Sequence, residues 1–119
     1  MGRISAVKQI ISRGRSALSA WVENVRSTFA SPPLRTSSAL APDRNELISA
    51  AETLAAEYRL VECESDLERL RMKIHEVELI ASASHRERQK PESKERVARL
   101  VREIEGHWEK IISLAINRA

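Results

Sequence analysis

The apolar residues in the second half of the chain recur at spacings of three and four, and this spacing restricts the region to helices that pack side by side. A strand would instead alternate with a period of two. One seam consists of Leu60, Cys63, Leu67, Leu70, Ile74, Val77 and Ala81. A second consists of Val97, Leu100, Ile104, Ile111 and Leu114, widened by Val101, Trp108 and Ala115. The pattern predicts two helices with matching, coiled-coil-like apolar faces.

The composition agrees with an all-α fold. Aromatic residues make up 3% of the chain and charged residues 31%, with three Gly and four Pro among 119 residues. A compact β or α/β domain would need more turn residues and more aromatic bulk. We therefore expect one helical domain, or a small helical domain that carries an arm.

The first of the two helices is predicted over residues 43–83. Asp43 and Glu46 have the spacing of a capping box, and Pro42 closes off the segment before them. Leu47, Ala51, Leu54 and Val61 extend the apolar stripe upstream of the seam. No Pro or Gly interrupts this range, so the sequence predicts a single uninterrupted helix.

The two seams are joined by a short polar segment, residues 84–91, which ends in Pro91. The residue before a proline disfavours helix, and a proline suits the first turn of the next helix. A last helix is therefore predicted over 92–117, and residues 43–119 are predicted to form an antiparallel helical hairpin. A continuous helix through 84–91 is the structural alternative.

The N-terminal residues 1–30 are predicted to form a basic amphipathic helix, which we treat as an arm. Its apolar face consists of Ile4, Val7, Ile11, Leu18, Trp21, Val22, Val25 and Phe29. Its basic residues are Arg3, Lys8, Arg13, Arg15 and Arg26. Gly14 lies near the apolar face, where a glycine permits a bend or the close approach of a partner.

Residues 31–42 are predicted to be a linker, because Pro32 and Pro33 stop a helix and the Ser/Thr run buries little. The charge also changes here. Residues 1–42 carry six basic residues and one acidic residue, whereas the rest of the chain carries 14 basic and 16 acidic residues. Whatever the positive charge attracts, it attracts at one end.

The sequence offers no group of residues typical of catalysis, metal binding or cofactor binding. His75, His85 and His107 have spacings that match no helical metal pair. Cys63 lies on the apolar seam and is interpreted as a small buried hydrophobe. The carboxylates alternate with Arg and Lys along helix faces, as on a solvated surface. We predict a protein that is not an enzyme and that holds no cofactor.

The arm suggests three kinds of partner: another protein, an anionic membrane surface, or an organelle-import machinery. Nucleic acid is less favoured, because the basic residues are spread around the helix. No run of 18 apolar residues and no secretory signal is found, and a single cysteine favours a reducing compartment. We expect an intracellular protein that is either peripheral at a membrane or imported into an organelle.

Two functions from different classes follow. The first is an interaction or assembly protein that self-associates through residues 43–118, preferably as a dimer that completes a four-helix bundle, while the arm docks on a membrane surface or a partner protein. The second is a structural subunit of a large complex, such as an organelle assembly or a virus or phage particle, in which the N-terminus acts as a targeting or docking helix. The residues expected to pair helices are Leu60, Leu67, Leu70, Ile74, Val77, Val97, Leu100, Val101, Ile104, Trp108, Ile111 and Leu114.

Overall fold

A computed structural model describes the backbone of residues 2–30 and 37–118 and the side chains of residues 5–29 and 40–118. Within these ranges every element is helical, so the prediction of an all-α fold is confirmed. The elements are α1 (Gly2–Ala30), α2 (Ser37–Glu57), a 3-10 turn (Val61–Cys63), α3 (Glu64–Ala81), α4 (His85–Arg88) and α5 (Pro91–Arg118). The four long helices pack into one bundle, in which α1 lies against α2 and α3 lies against α5.

The prediction of one helix across residues 43–83 is wrong, because the chain turns after α2. Arg59 has a φ of 51°, in the left-handed region. The Leu60 amide donates to the Ala55 carbonyl at 2.9 Å, which is the long-range hydrogen bond of a Schellman motif. Glycine usually occupies the left-handed position. With arginine there, the sequence carries no stop signal.

Helix α2 begins inside the segment predicted to be a linker. Six residues of that segment, from Ser37 to Pro42, are helical, while residues 31–36 lie outside the described part of the chain. Pro42 lies inside the helix and lacks one backbone donor. Leu40 is 1% exposed, and the burial of a leucine side chain outweighs a single missing hydrogen bond.

The predicted capping box is also wrong, because Asp43 and Glu46 lie within α2 rather than at its start. Both carboxylates bind α1 instead. Asn24 donates from Nδ2 to Asp43 Oδ2 at 2.9 Å, and Arg13 donates from Nε to Glu46 Oε1 at 2.7 Å. These contacts fix the pairing of α1 with α2.

The predicted break between the two seams is confirmed, and the continuous-helix alternative is excluded. Helix α3 ends at Ala81, and Pro91 begins α5. Between them Ser84 caps the one-turn helix α4, because its Oγ accepts a hydrogen bond from the Glu87 amide at 3.3 Å. The turn lets α5 return along α3.

Helix α1 packs within the bundle. Of its apolar face, Val7, Ile11, Leu18, Trp21, Val22 and Val25 are buried, Phe29 is half-buried, and the Ile4 side chain lies outside the described residues. Trp21 Nε1 donates to Glu78 Oε2 at 3.0 Å, and Arg44 Nη1 donates to Glu78 Oε1 at 2.6 Å. A single carboxylate of α3 thus binds α1 and α2 together.

The helix-pairing residues lie in the same core. Leu60, Leu70, Ile74, Val77, Val97, Leu100, Ile104, Trp108 and Ile111 are buried, whereas Leu67, Val101 and Leu114 are half-buried. Trp108 and Ala115, which widen the α5 face, are 1% and 0% exposed. Their burial is achieved within one chain, so it does not require a second copy.

Candidate functional site

Helices α1 and α5 run antiparallel and approach closely where Gly14 faces Trp108. A Cβ added to Gly14 would lie 2.2 Å from Trp108 Cη2 and 3.1 Å from the Cβ of Ala50. Trp108 is buried, so its ring has no free space into which to move. Arg15 Nη2 lies 3.5 Å from Glu109 Oε1 beside this contact. The glycine is therefore required for close packing between helices of the same chain.

Toward the other end of the pair, the two helices leave an open groove, which we call the α1/α5 groove. Gln89 Nε2 donates to the Phe29 carbonyl at 3.3 Å, which ties the end of α1 to the segment before α5. The groove has a volume of about 540 Å³. Its floor consists of Val22, Val25, Phe29, Val97, Ala98 and Val101, and its rim of Arg26, Lys94, Arg102 and Glu105.

A second cavity of about 520 Å³ continues the groove toward the closed end. It shares Val22, Arg26 and Glu105 with the first cavity and extends to Arg15 and Glu109. Along α1, Arg15 and Phe29 are about 21 Å apart at 1.5 Å per residue. The two cavities therefore form one elongated depression of about four helical turns.

The charge of the α1/α5 groove is uneven along its length. At the wide end Arg26, Lys94 and Arg102 surround the apolar floor. Lys94 and Arg102 have no ion-pair partner among the described side chains, and Arg26 lies 3.9 Å from the exposed Glu23. The wide end thus combines uncovered apolar surface with the unpaired positive charges of Lys94 and Arg102.

A separate polar cluster joins α3 to α5 on another side of the bundle. Asp66 Oδ1 lies 2.9 Å from His107 Nδ1, and Asp66 Oδ2 lies 3.1 Å from Lys110 Nζ. Lys73 Nζ lies 2.8 Å from His107 Nε2 and 3.2 Å from Glu103 Oε1. An ammonium group only donates, so Nε2 accepts from Lys73 and Nδ1 donates to Asp66. Every member of the cluster is engaged by another.

The surroundings of Asp66 favour its ionised form. Burial alone raises the pKa of this carboxyl group, but the hydrogen bonds from His107 and Lys110, together with the charge of Lys110, outweigh burial and lower the pKa below its ordinary value. A lowered pKa in the folded state means that ionised Asp66 stabilises the fold above the unfolded-state pKa of about 3.9. This stabilisation is lost as the pH falls through the lower, folded-state pKa.

We therefore expect Asp66→Asn to lower the free energy of unfolding by about 1–3 kcal/mol at pH 7. The difference from the wild type should shrink as the pH falls from 5 toward 2, because protonated Asp66 loses the same ionic contacts. Urea denaturation at several pH values measures this difference. Glu68→Gln, which alters an exposed carboxylate on the same helix, is the control and should change stability little. A deficit of Asp66→Asn that persists at pH 2 would contradict the ionic role.

Cys63 lies near this cluster but is not activated. Its Sγ donates to the Leu60 carbonyl at 3.2 Å, and its side chain is buried. Burial raises the pKa of the Cys63 thiol, and the nearby Asp66 and Glu62 carboxylates raise it further. A protonated, enclosed thiol is a poor nucleophile.

The other candidate residues are dispersed. His75 and His85 are exposed, and neither takes part in the contacts of the His107 cluster. Across residues 2–30 and 37–118, no group of three His, Cys, Asp or Glu residues could hold a metal ion. In the same ranges, no helix has both the length and the apolar character needed to cross a membrane.

The predicted arm residues fall into two groups. The apolar face lies mostly in the core, whereas Lys8, Arg13, Arg15 and Arg26 are exposed and the Arg3 side chain lies outside the described part. The Asp66 cluster and the groove rim formed by Lys94 and Arg102 were not predicted from the sequence. The sequence does contain a partial indication of the rim, because Val101 widens the apolar face of α5 and the basic Arg102 follows it directly.

Comparison with protein-family models, with curated proteins and with solved structures gives no match for this chain.

Proposed function

We propose that this is a non-enzymatic helical interaction and assembly protein. The α1/α5 groove is the observation that carries the proposal, because it is an elongated apolar surface left open between two packed helices. Monomeric bundles tend to bury such surface, and an uncovered apolar patch rimmed by polar residues is typical of an interaction site. The titratable side chains support the same proposal, since Asp66 and Lys73 both form hydrogen bonds with His107.

In this proposal α1 is a helix of the bundle and a wall of the groove, not a free arm. Its apolar face contributes to the core and its Arg26 flank contributes to the groove rim. A membrane that used the apolar face of α1 would have to separate Trp21 from Glu78 and Gly14 from Trp108. Binding at the groove requires no such separation.

A second candidate, the structural subunit of a large complex, is favoured by exposed apolar residues on other faces. Met72 and Leu79, which are 63% and 58% exposed, are separated by two helical turns on α3. Val61 and Ile116 are 70% and 55% exposed, near the end where Arg118 binds Glu62. A subunit that neighbours surround on several sides would cover all four.

Photo-crosslinking of the full chain in its native cells tests both candidates. Benzoylphenylalanine would replace Val101 in the groove, Met72 on the outer face of α3, or the exposed polar Gln9 as the control. If the protein is an interaction protein that binds its partner in the groove, discrete crosslinked products are expected from position 101 alone. Products from both 101 and 72 would favour the structural subunit, and no product above the Gln9 background would overturn the interaction role.

A further inference from the structure

We infer that the α1/α5 groove binds an amphipathic helix of a partner protein, with acidic residues over the Lys94 and Arg102 end. The inference rests on the proposed interaction function and names the chemistry of the partner. Three properties of the groove lead to it: its shape, its floor and the charge of its rim.

The shape fits a helix. Two antiparallel helices enclose the groove, and a third helix can pack between two such helices at the distance of 8–10 Å common to helical bundles. The length between Arg15 and Phe29 is about 21 Å, which accommodates about 14 residues of a helical partner. A pocket for a small molecule would enclose most of its ligand, whereas this groove is open to solvent along one side.

The floor fits the apolar face of that helix. Val22 and Val25 of α1 and Val97 of α5 are buried, while Phe29 and Val101 remain half-exposed. An apolar stripe with residues at i, i+3, i+4 and i+7 would cover the two half-exposed side chains. A bilayer surface would contact protruding apolar residues, whereas this floor is recessed between helices.

The rim selects the charge of the partner. Lys94 and Arg102 give the wide end two positive side chains without an ion-pair partner among the described side chains. Arg26 adds a third positive side chain, which is offset by Glu23, and Glu105 is the one carboxylate in the lining of this end. A second copy of this chain, placed across a two-fold axis at the wide end, would bring the same basic groups face to face. Acidic side chains on a different chain complement the rim, and such complementarity determines specificity and orientation.

The test uses three designed helical peptides of 14 residues and the full-length protein. The first has a Leu/Ile stripe flanked by Glu, the second has the same stripe flanked by Lys, and the third has the first composition in scrambled order. Fluorescence anisotropy gives the affinities, and ¹H–¹⁵N chemical-shift changes locate the binding site. We expect the Glu-flanked peptide to bind about tenfold more tightly than the Lys-flanked peptide. The shifts should centre on residues 22–29 and 94–105.

Two variants and a control sharpen the test. Val101→Glu should weaken binding of the Glu-flanked peptide about tenfold or more, because it places a charge on the floor. The double variant Lys94→Glu, Arg102→Glu should reverse the preference between the two flanked peptides. Met72→Glu changes an exposed residue of α3 that does not line the groove, so it should leave binding unchanged. Circular dichroism must show that all variants remain folded.

Equal binding of the Glu-flanked and Lys-flanked peptides, or shifts outside the groove, would overturn the inference. Two other occupants have distinct signatures. A dimer seen by light scattering and lost in Val101→Glu would assign the groove to a second copy. Sedimentation with phosphatidylglycerol vesicles that Val101→Glu abolishes would assign it to a membrane. Crosslinking from position 101 would still support the interaction role in either case, so the two failures are distinguishable.

Discussion

Replacement of Trp108 by alanine is expected to lower the free energy of unfolding by about 3–5 kcal/mol. Trp108 is 1% exposed and fills the space between α5 and the backbone of α1 at Gly14. Alanine would leave a cavity where the two helices meet, because the surrounding helices relax only partly. Urea denaturation followed by circular dichroism measures the loss.

Two controls separate this packing role from other effects. Trp108→Phe keeps most of the aromatic volume, and it removes an indole N–H for which no acceptor lies in reach among the described residues. It should therefore cost much less than alanine. Met72→Ala, at a side chain that is 63% exposed, should change stability by less than about 0.5 kcal/mol. A Trp108→Ala loss as small as that of Met72→Ala would mean that Trp108 is not in the core.

Gly14→Ala is expected to destabilise the protein by about 1–3 kcal/mol through overpacking against Trp108. Alanine is a better helix former than glycine by about 1 kcal/mol, which opposes the cost of overpacking. The sign of the change in the free energy of unfolding therefore shows which of the two effects is larger. Here the clash prevails, because the added Cβ would lie 2.2 Å from the Trp108 ring. The free energy of unfolding, again from urea denaturation, gives the sign.

Gly106→Ala is the matched control, because it makes the same change in α5, where a Cβ meets nothing within 4 Å. It should stabilise the protein by about 1 kcal/mol. In a Trp108→Leu background, which removes the ring, Gly14→Ala should lose its penalty, and the double-mutant cycle measures that coupling. If Gly14→Ala stabilised the wild type as Gly106→Ala does, α1 could not approach Trp108 as described.

The sequence predicts which face of each helix is buried, since burial follows from the local period of apolar residues. The seams of α3 and α5 and the stripe of α1 are all recognisable in this way. The end of α3 and the start of α5 are also predictable, because Pro91 and the polar residues before it constrain the backbone locally.

The turn after α2 was not predictable, because its left-handed position is occupied by Arg59 rather than by glycine. The start of α2 was missed for a related reason. Proline in a Ser-rich segment favours a linker, and only the tertiary burial of Leu40 makes the helix stable there.

The spacing of apolar residues predicts which face of a helix is buried, but it does not predict which neighbouring helix covers that face. The broad α5 face around Trp108 suggested a second copy, whereas α1 of the same chain covers it, with Gly14 permitting the approach. The groove results from that pairing, because its two walls are far apart in sequence. The Asp66 cluster has the same origin, since Asp66 and His107 meet only when α5 returns along α3.

In the structure α1 is an integral helix of the bundle and forms the groove together with α5. Native-state hydrogen exchange on the full chain can show whether α1 is packed in solution. We predict that the amides of α1 between Val7 and Val25 are protected with opening free energies close to those of α3 and α5. Rapid exchange throughout α1, with α3 and α5 still protected, would show a detached arm and would contradict both the packing and the groove.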